Sequence, residues 1–238
     1  MTIDLLWPDG PKLIRDPDVL ALGTDAVLLS HFASGKRVKN LLDLGTGSGI
    51  IPLLLAWGDK RIHATGLEIQ EKSAQLASKN MELNGLSDRV EIITADMRSW
   101  RMPKLSGYFD LVVSNPPYFP VSSGKSTDNP HIAIAREELM CTLEDICKTA
   151  AYYTKWGGSF CMVHRPERLA EAMHILSENG LEPKRLRLVH SRLNTAPSLI
   201  LIEAKRGASP GLTIMPPLAM YNDDGSDSDE VRAIYHRQ

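Results

Sequence analysis

The run Asn40-Leu41-Leu42-Asp43-Leu44 stops at Gly45-Thr46-Gly47-Ser48-Gly49 and is followed by Ile50–Trp57, which is apolar on nearly every side. A strand, a glycine-rich turn and a buried helix, in that order, direct a chain toward a parallel sheet covered by helices. Pro52 fits because it falls in the first helical turn. The glycines let the backbone approach a ligand closely and present N–H groups near a helix N-terminus. The alternation then continues along the chain. Strand Ile62–Leu67 ends at Glu68. Helix Gln70–Asn84 carries Ala74, Ala77 and Met81 on one face and stops at Gly85. Strand Val90–Thr94 ends at Ala95-Asp96, and strand Phe109–Val113 closes at Ser114. A helix over Thr142–Tyr153 with Thr142 as N-cap, a strand over Phe160–His164, a helix over Pro166–Glu178 and strands Arg185–Val189 and Leu199–Ala204 complete the pattern. The fold class is α/β: a seven-stranded, mostly parallel sheet with helices on both faces. Residues 1–39 are a lead-in segment packing on the core, with Pro8, Pro11, Pro17 and a helix from Asp25 to Phe32; 40–206 form the sheet domain and 207–238 a C-terminal tail.

Residues 114–119 read Ser-Asn-Pro-Pro-Tyr-Phe at the end of a strand. Each proline fixes its φ and lacks an N–H, and the residue before each is pushed into an extended conformation. Asn115 and Pro116 are therefore held in one stiff turn that can aim the Asn115 side-chain oxygen and the Pro116 carbonyl at one point. Tyr118 supplies a flat face beside it. Two acceptors and a stacking face suit a planar –NH2 on a ring or an amide. Glu68 closes the second strand, where a doubly wound sheet grips ribose hydroxyls.

With these features in order, the chain resembles the class I S-adenosylmethionine-dependent methyltransferases, and among them the bacterial tRNA1(Val) adenine-37-N6 methyltransferase family. The residues that carry the resemblance are Gly23–Leu29, Asp43–Gly49, Glu68, Asp96, Asn115–Phe119 and Ile134-Ala135-Arg136, within a similarity running from about Leu5 to Lys205. It implies a last strand antiparallel to the others. It implies S-adenosyl-L-methionine as cofactor, its methionine end wrapped by Gly45, Gly47 and Gly49, and the spacing G-x-G-x-G is not the G-x-G-x-x-G of a dinucleotide binder. It also sets Thr24, Asp43, Thr46, Ile69 and Asn115 against the cofactor, Glu68 on the ribose, and Asp96 with the Met97 N–H on its adenine. A helix N-cap accounts for Thr24 and Asp25 about as well.

On the substrate side the resemblance implies catalysis by Asn115, Pro116 and Tyr118. Asn115 and the Pro116 carbonyl accept the two N6–H bonds of an adenine, and Tyr118 stacks on the base once it is extruded from a single-stranded loop. Pro117 and Phe119 line the same pocket, although Phe119 fits core packing as well. Arg136 faces RNA, and Glu137 stands where the family commonly has His, an unexpected acid beside phosphate. Lys184, Arg185 and Arg187 are candidate phosphate contacts, as are Arg165, Arg168, Arg192 and the Lys36-Arg37-Lys39 cluster.

The net charge of −2 excludes a uniformly basic surface but not a local basic patch. Five acids, Asp223, Asp224, Asp227, Asp229 and Glu230, lack EF-hand spacing and read as a solvated turn and helix start. No histidine pair has metal-ligand spacing, so no metal is expected. Cys141, Cys147 and Cys161 contain no CxxC pair and read as buried free thiols. No stretch reaches the ~18 apolar residues of a membrane span, and no signal-peptide pattern opens the chain, so the cytoplasm is expected. The alternatives are a protein glutamine N5-methyltransferase, an rRNA guanine-N2 methyltransferase, or an S-adenosylmethionine-binding RNA scaffold. The first carries a sizeable helical domain ahead of its sheet, where this chain has about 40 residues. The complete Asn-Pro-Pro-Tyr turn serves no purpose in the scaffold. Oligomeric state is not legible.

Overall fold

The strand residues alternate between two apolar layers, and that alternation builds the molecule. The computed structural model describes residues 2–17, 19, 23–35, 37–116 and 141–237. A hairpin of β1 (Thr2–Leu5) and β2 (Lys12–Arg15) precedes α1 (Thr24–Ala33). There follow β3 (Asn40–Leu44), α2 (Ile50–Gly58), β4 (His63–Glu68), α3 (Glu71–Leu83), β5 (Val90–Thr94) and β6 (Phe109–Ser114). After residue 140 come α4 (Leu143–Tyr153), β7 (Thr154–His164), α5 (Leu169–Glu178), β8 (Leu181–His190) and β9 (Pro197–Arg206). Short β10 (Thr213–Ile214), β11 (Leu218–Ala219) and α6 (Asp229–Ile234) finish the chain.

The seven long strands lie in the order β5-β4-β3-β6-β7-β9-β8, and β9 is antiparallel to both its neighbours. This is the expected mostly parallel sheet with an antiparallel last strand. Leu41, Leu111, Val113, Cys161, Val163 and Leu201 face a layer formed by α1, α2 and α6 with Met81 of α3. Leu42, Val112, Phe160, Met162, Ile200 and Ile202 face the layer of α4 and α5. Strands buried on both faces read as continuous apolar runs for this reason. Thr142 caps α4 as expected: its hydroxyl accepts from the Asp145 N–H at 3.1 Å, and the Thr142 N–H donates to Asp145 at 3.0 Å.

The tail is part of the fold. β10 and β11 pair in parallel with the outer edge of β8, making the sheet nine-stranded. Ser228 caps α6, as the acidic stretch suggested, and α6 lays Val231 and Ile234 on the α1 layer. His236 stacks on Trp7 with ring centroids 4.3 Å apart, so the two ends of the chain meet.

Arg185 and Arg187, read along the chain as candidate phosphate contacts, are the bolts of this arrangement. Both project to the α1 side of β8. Arg187 is buried, forms a two-pronged pair with Glu230 of α6 at 2.6 and 2.7 Å, and donates to the Pro216 carbonyl. Arg185 pairs with buried Glu203 of β9, donates to the Phe32 carbonyl, and lies over the Phe32 ring at 4.6 Å. Lys184 and Arg185 are half-buried, and the Lys184 Nζ donates to the Ser209 carbonyl. All three cysteines are free thiols; Cys147 and Cys161 are buried and Cys141 is half-buried. Among the described residues no helix is long and apolar enough to cross a membrane, and no group of three or more side chains able to hold a metal comes together.

Ile234→Ala should therefore lower unfolding free energy by about 2–3 kcal/mol, the cost of emptying a core position. Urea denaturation reads this directly; a change under about 0.5 kcal/mol would mark the tail as peripheral.

Candidate active site

Parallel strands β3, β4, β5 and β6 present their C-terminal ends along one edge, where ligands of open α/β sheets bind. The register sets Leu44 level with Leu67 of β4 and Ser114 of β6. The glycine loop is then tied down. The Gly45 and Thr46 N–H groups both donate to the Leu67 carbonyl, at 2.9 and 2.8 Å. Thr46 is buried and its hydroxyl donates to Asp43 at 2.6 Å. Thr46 thus holds the loop from below. Asn80 of α3, fully buried, donates to the Ser48 carbonyl at 2.9 Å and accepts from the Ile14 N–H of the N-terminal hairpin at 2.7 Å. No sequence motif marks Asn80, because its two partners lie 32 and 66 residues away.

Two glycines in the loop are there for different reasons. Gly49 has φ of 81°, and a Cβ there would sit 3.0 Å from the Ala77 Cβ and the Met81 Cε, so a glycine lets α3 pack closely against the loop. Gly47 has φ of 56°, and among the described residues no atom lies within 4 Å of where a Cβ would be. The described residues thus leave a space over Gly47 that a side chain would fill.

Glu68 ends β4 beneath this space. Its two oxygens accept from the Gly47 N–H at 2.8 Å and the Gln70 N–H at 2.9 Å, which orients the carboxylate. Burial raises its pKa, against the backbone bonds from Gln70, Gly47 and Ile69. Asp96 follows β5, next to Glu68 because the Ala95 N–H donates to the Glu68 carbonyl at 2.9 Å. Arg98 holds the Asp96 carboxylate in a two-pronged pair at 3.0 and 2.6 Å and keeps its pKa below the ordinary range. The sequence reading missed Arg98. Met97 approaches Gly45, its Cε 3.9 Å from where a Gly45 Cβ would stand. Asp43 lies under the loop, fully buried, and its Oδ1 has no hydrogen-bond partner among the described residues. Burial pushes this carboxyl up to about 7, with the Thr46 bond opposing and the Glu68 charge adding.

Thr24 opens α1, but Gly23 is the N-cap and makes no side-chain cap. Tyr235 of the tail has a pKa raised by burial, with nearby Thr24 opposing. At the end of β6, Ser114 donates to the Leu44 carbonyl at 2.8 Å, so Asn115 emerges beside Gly45. Asn115 is half-buried and Pro116 buried. Pro117, Tyr118, Phe119 and Arg136 lie outside the described residues.

The edge therefore gathers a strapped glycine loop, a carboxylate oriented by two backbone N–H groups, a second acid beside it, and Asn115 with Pro116. Residues 18–179 match the methyltransferase small domain family. The chain belongs to that family. This methyltransferase is 32% identical over 190 residues to a tRNA1(Val) (adenine(37)-N6)-methyltransferase of Bacteroides fragilis strain YCH46, covering 79% of this chain and 78% of that one. It is 29% identical over 192 residues to one of Glaesserella parasuis serovar 5, covering 75% and 80%. A solved structure titled a predicted O-methyltransferase, from Agrobacterium tumefaciens, superposes with TM-score 0.73 at 23% identity, over 90% of this chain and 96% of that one. The ribosomal protein L11 methylase of Lactobacillus delbrueckii subsp. bulgaricus gives 0.52 at 19% identity, over 77% of each chain. These two likenesses are of fold.

The methyl donor of this methyltransferase is S-adenosylmethionine, and the residues present fit it. The open space over Gly47 admits its methionine end, the oriented Glu68 carboxylate suits its ribose hydroxyls, and the orphaned Asp43 oxygen lies under the same loop.

Gly47→Ala should cost about 1–2 kcal/mol of stability yet weaken S-adenosylmethionine binding by about tenfold or more. Gly49→Ala should cost more stability, since it also displaces α3; melting curves and calorimetric titration separate the two. The folded state holds the Asp43 proton to about pH 7, while the unfolded chain releases it near 4. Stability from this group is therefore complete below about pH 4 and declines as pH rises to about 7. Asp43→Asn should flatten that decline in urea titrations run between pH 5 and 8; an unchanged profile would show that Asp43 is ionised in the fold throughout.

Proposed function

We propose that this methyltransferase transfers the methyl group of S-adenosylmethionine to N6 of an adenine in tRNA, with position 37 in the anticodon loop of tRNA1(Val) as the target. The observation that carries the reading is the placement of Asn115 one residue past Ser114, against the glycine loop. A planar amine held by Asn115 is thereby held beside the methyl donor's pocket. The names of the relatives point the same way.

The cofactor supplies an electrophilic methyl on a sulfonium. The protein's task is to present a poor nucleophile, since the lone pair of an exocyclic amine is delocalised into its ring. Asn115 accepts one N6–H and the Pro116 carbonyl the other. Holding both protons favours the tetrahedral nitrogen that forms during transfer and aims the lone pair in line with the methyl. This is positioning plus electrostatic stabilisation of growing positive charge. The N–C bond forms as the S–C bond breaks to leave the neutral thioether, and the methylated nitrogen then releases one of its two protons to water. The burial of Pro116 and the stiffness of the Asn-Pro turn keep the two acceptors fixed, so little reorganisation accompanies the reaction. Tyr118 stacks on the flipped base, an interaction worth about 1–3 kcal/mol. Lifting the base out is cheapest in a single-stranded loop.

Asn115→Ala should reduce methyl transfer by roughly 10²–10³ while weakening cofactor binding far less. Labelled S-adenosylmethionine and unmodified tRNA, followed by nucleoside mass spectrometry, test both points. N6-methyladenosine with the wild type and near-total loss with the variant are expected. Near wild-type turnover by the variant, or label in another nucleoside or in protein, would overturn the reading.

A further inference from the structure

At the opposite edge of the sheet β7 departs from regular pairing. Between the pairs Phe109–Thr154 and Leu111–Ser159, β6 advances two residues while β7 advances five, so Lys155-Trp156-Gly157 is thrown out as a bulge. Bulges re-aim side chains, and this one re-aims an indole. Trp156 is 75% exposed. It is nonetheless seated, because its ring covers Gly207 so closely that a Cβ there would lie 2.3 Å from two ring atoms. Beside it is a cavity of about 600 Å³ lined by Arg37, Lys155, Lys184 and Lys205 together with the bolt residue Arg185. Two acids, Asp110 and Glu203, reach the same cavity, and both are committed inward. Asp110 accepts from the Lys39 and Asn40 N–H groups at 3.1 and 3.0 Å and from Lys155 at 3.3 Å. Glu203 accepts from Ser159 and Arg185. What faces outward is positive charge around a flat aromatic face, on a chain whose net charge is −2.

A seated, exposed indole among long cations is the pairing that binds single-stranded nucleic acid, with stacking for a base and ammonium groups for the phosphates. We infer that the Lys155–Gly157 bulge, with Arg37, Lys184 and Lys205, is a second RNA contact: it takes the phosphodiester backbone and stacks one unpaired base on Trp156, away from the target adenine. The inference rests on the RNA reading above. The six residues of β6 separate the two edges, a span of about 20 Å at ~3.3 Å per residue. A folded RNA bridges that distance, so the contact selects for substrate size and shape.

The test uses the full chain with unmodified tRNA as probe. Trp156→Ala should raise KM for tRNA about fivefold or more, and Trp156→Phe should restore it to within about twofold. Lys155→Gln with Lys205→Gln should weaken tRNA binding and flatten its logarithmic salt dependence by about 1.5. Because the lysine pair is surface-exposed, it tests the site even if Trp156→Ala melts early. Unchanged KM and salt slope in these variants, with N6-methyladenosine still formed, would overturn the second contact and leave the proposed reaction standing. A wild-type protein that neither binds nor methylates RNA would overturn both.

Discussion

Everything at the active edge depends on the pairing of β3 with a strand on each side. Its ladder places Leu44 opposite Leu67 and Ser114, so the glycine loop, Glu68 and Asn115 leave the sheet at the same height. A slip of one residue in either ladder would turn Asp43 or Ser114 to the other face and part the three. The Leu67 carbonyl, taking two loop N–H groups, and the Ser114 hydroxyl on the Leu44 carbonyl lock the register at the point where it matters. These are short-range bonds between strand ends, and they turn a fold-level feature into a site.

The acids at this edge have opposite surroundings and so opposite tendencies. Asp96 is partly exposed and charged beside Arg98, and it stays ionised. Asp43 is buried with a single hydroxyl donor, which leaves its charge poorly compensated and its pKa high. Glu68 lies between these cases, buried but bonded by backbone N–H groups. The site thus keeps one acid at the surface, one oriented by backbone N–H groups, and one under the loop.

The N- and C-terminal segments serve the same end from behind. The hairpin is tied to α3 through Asn80 and Asn84, and α6 is tied to β8 through Arg187. Both therefore press on the layer of α1 and α2 that backs the glycine loop. Arg187 is thereby withdrawn from the surface, while half-buried Arg185 still lines the cavity beside Trp156.

The core of the fold was legible along the chain because its elements are made by local, periodic patterns. Asn40–Leu44, Val90–Thr94 and Phe109–Ser114 are strands as read, and the Thr142 cap needs only neighbours three residues away. The glycine loop was legible too, since glycine admits the left-handed backbone that Gly45, Gly47 and Gly49 adopt. Other features needed the tertiary structure. β7 begins at Thr154, not Phe160, because the residues between Thr154 and Ser159 are absorbed as a bulge. β8 begins at Leu181 because Pro183 falls at a shift in register. Arg185 and Arg187 look like surface charge until Glu203 and Glu230, 18 and 43 residues on, arrive beside them. Sequence alone determined which backbone shapes and which chemical groups were available. Only folding decided which charges face each other and which face solvent, because ion pairing and burial are set by distances in space that separation along the chain does not encode.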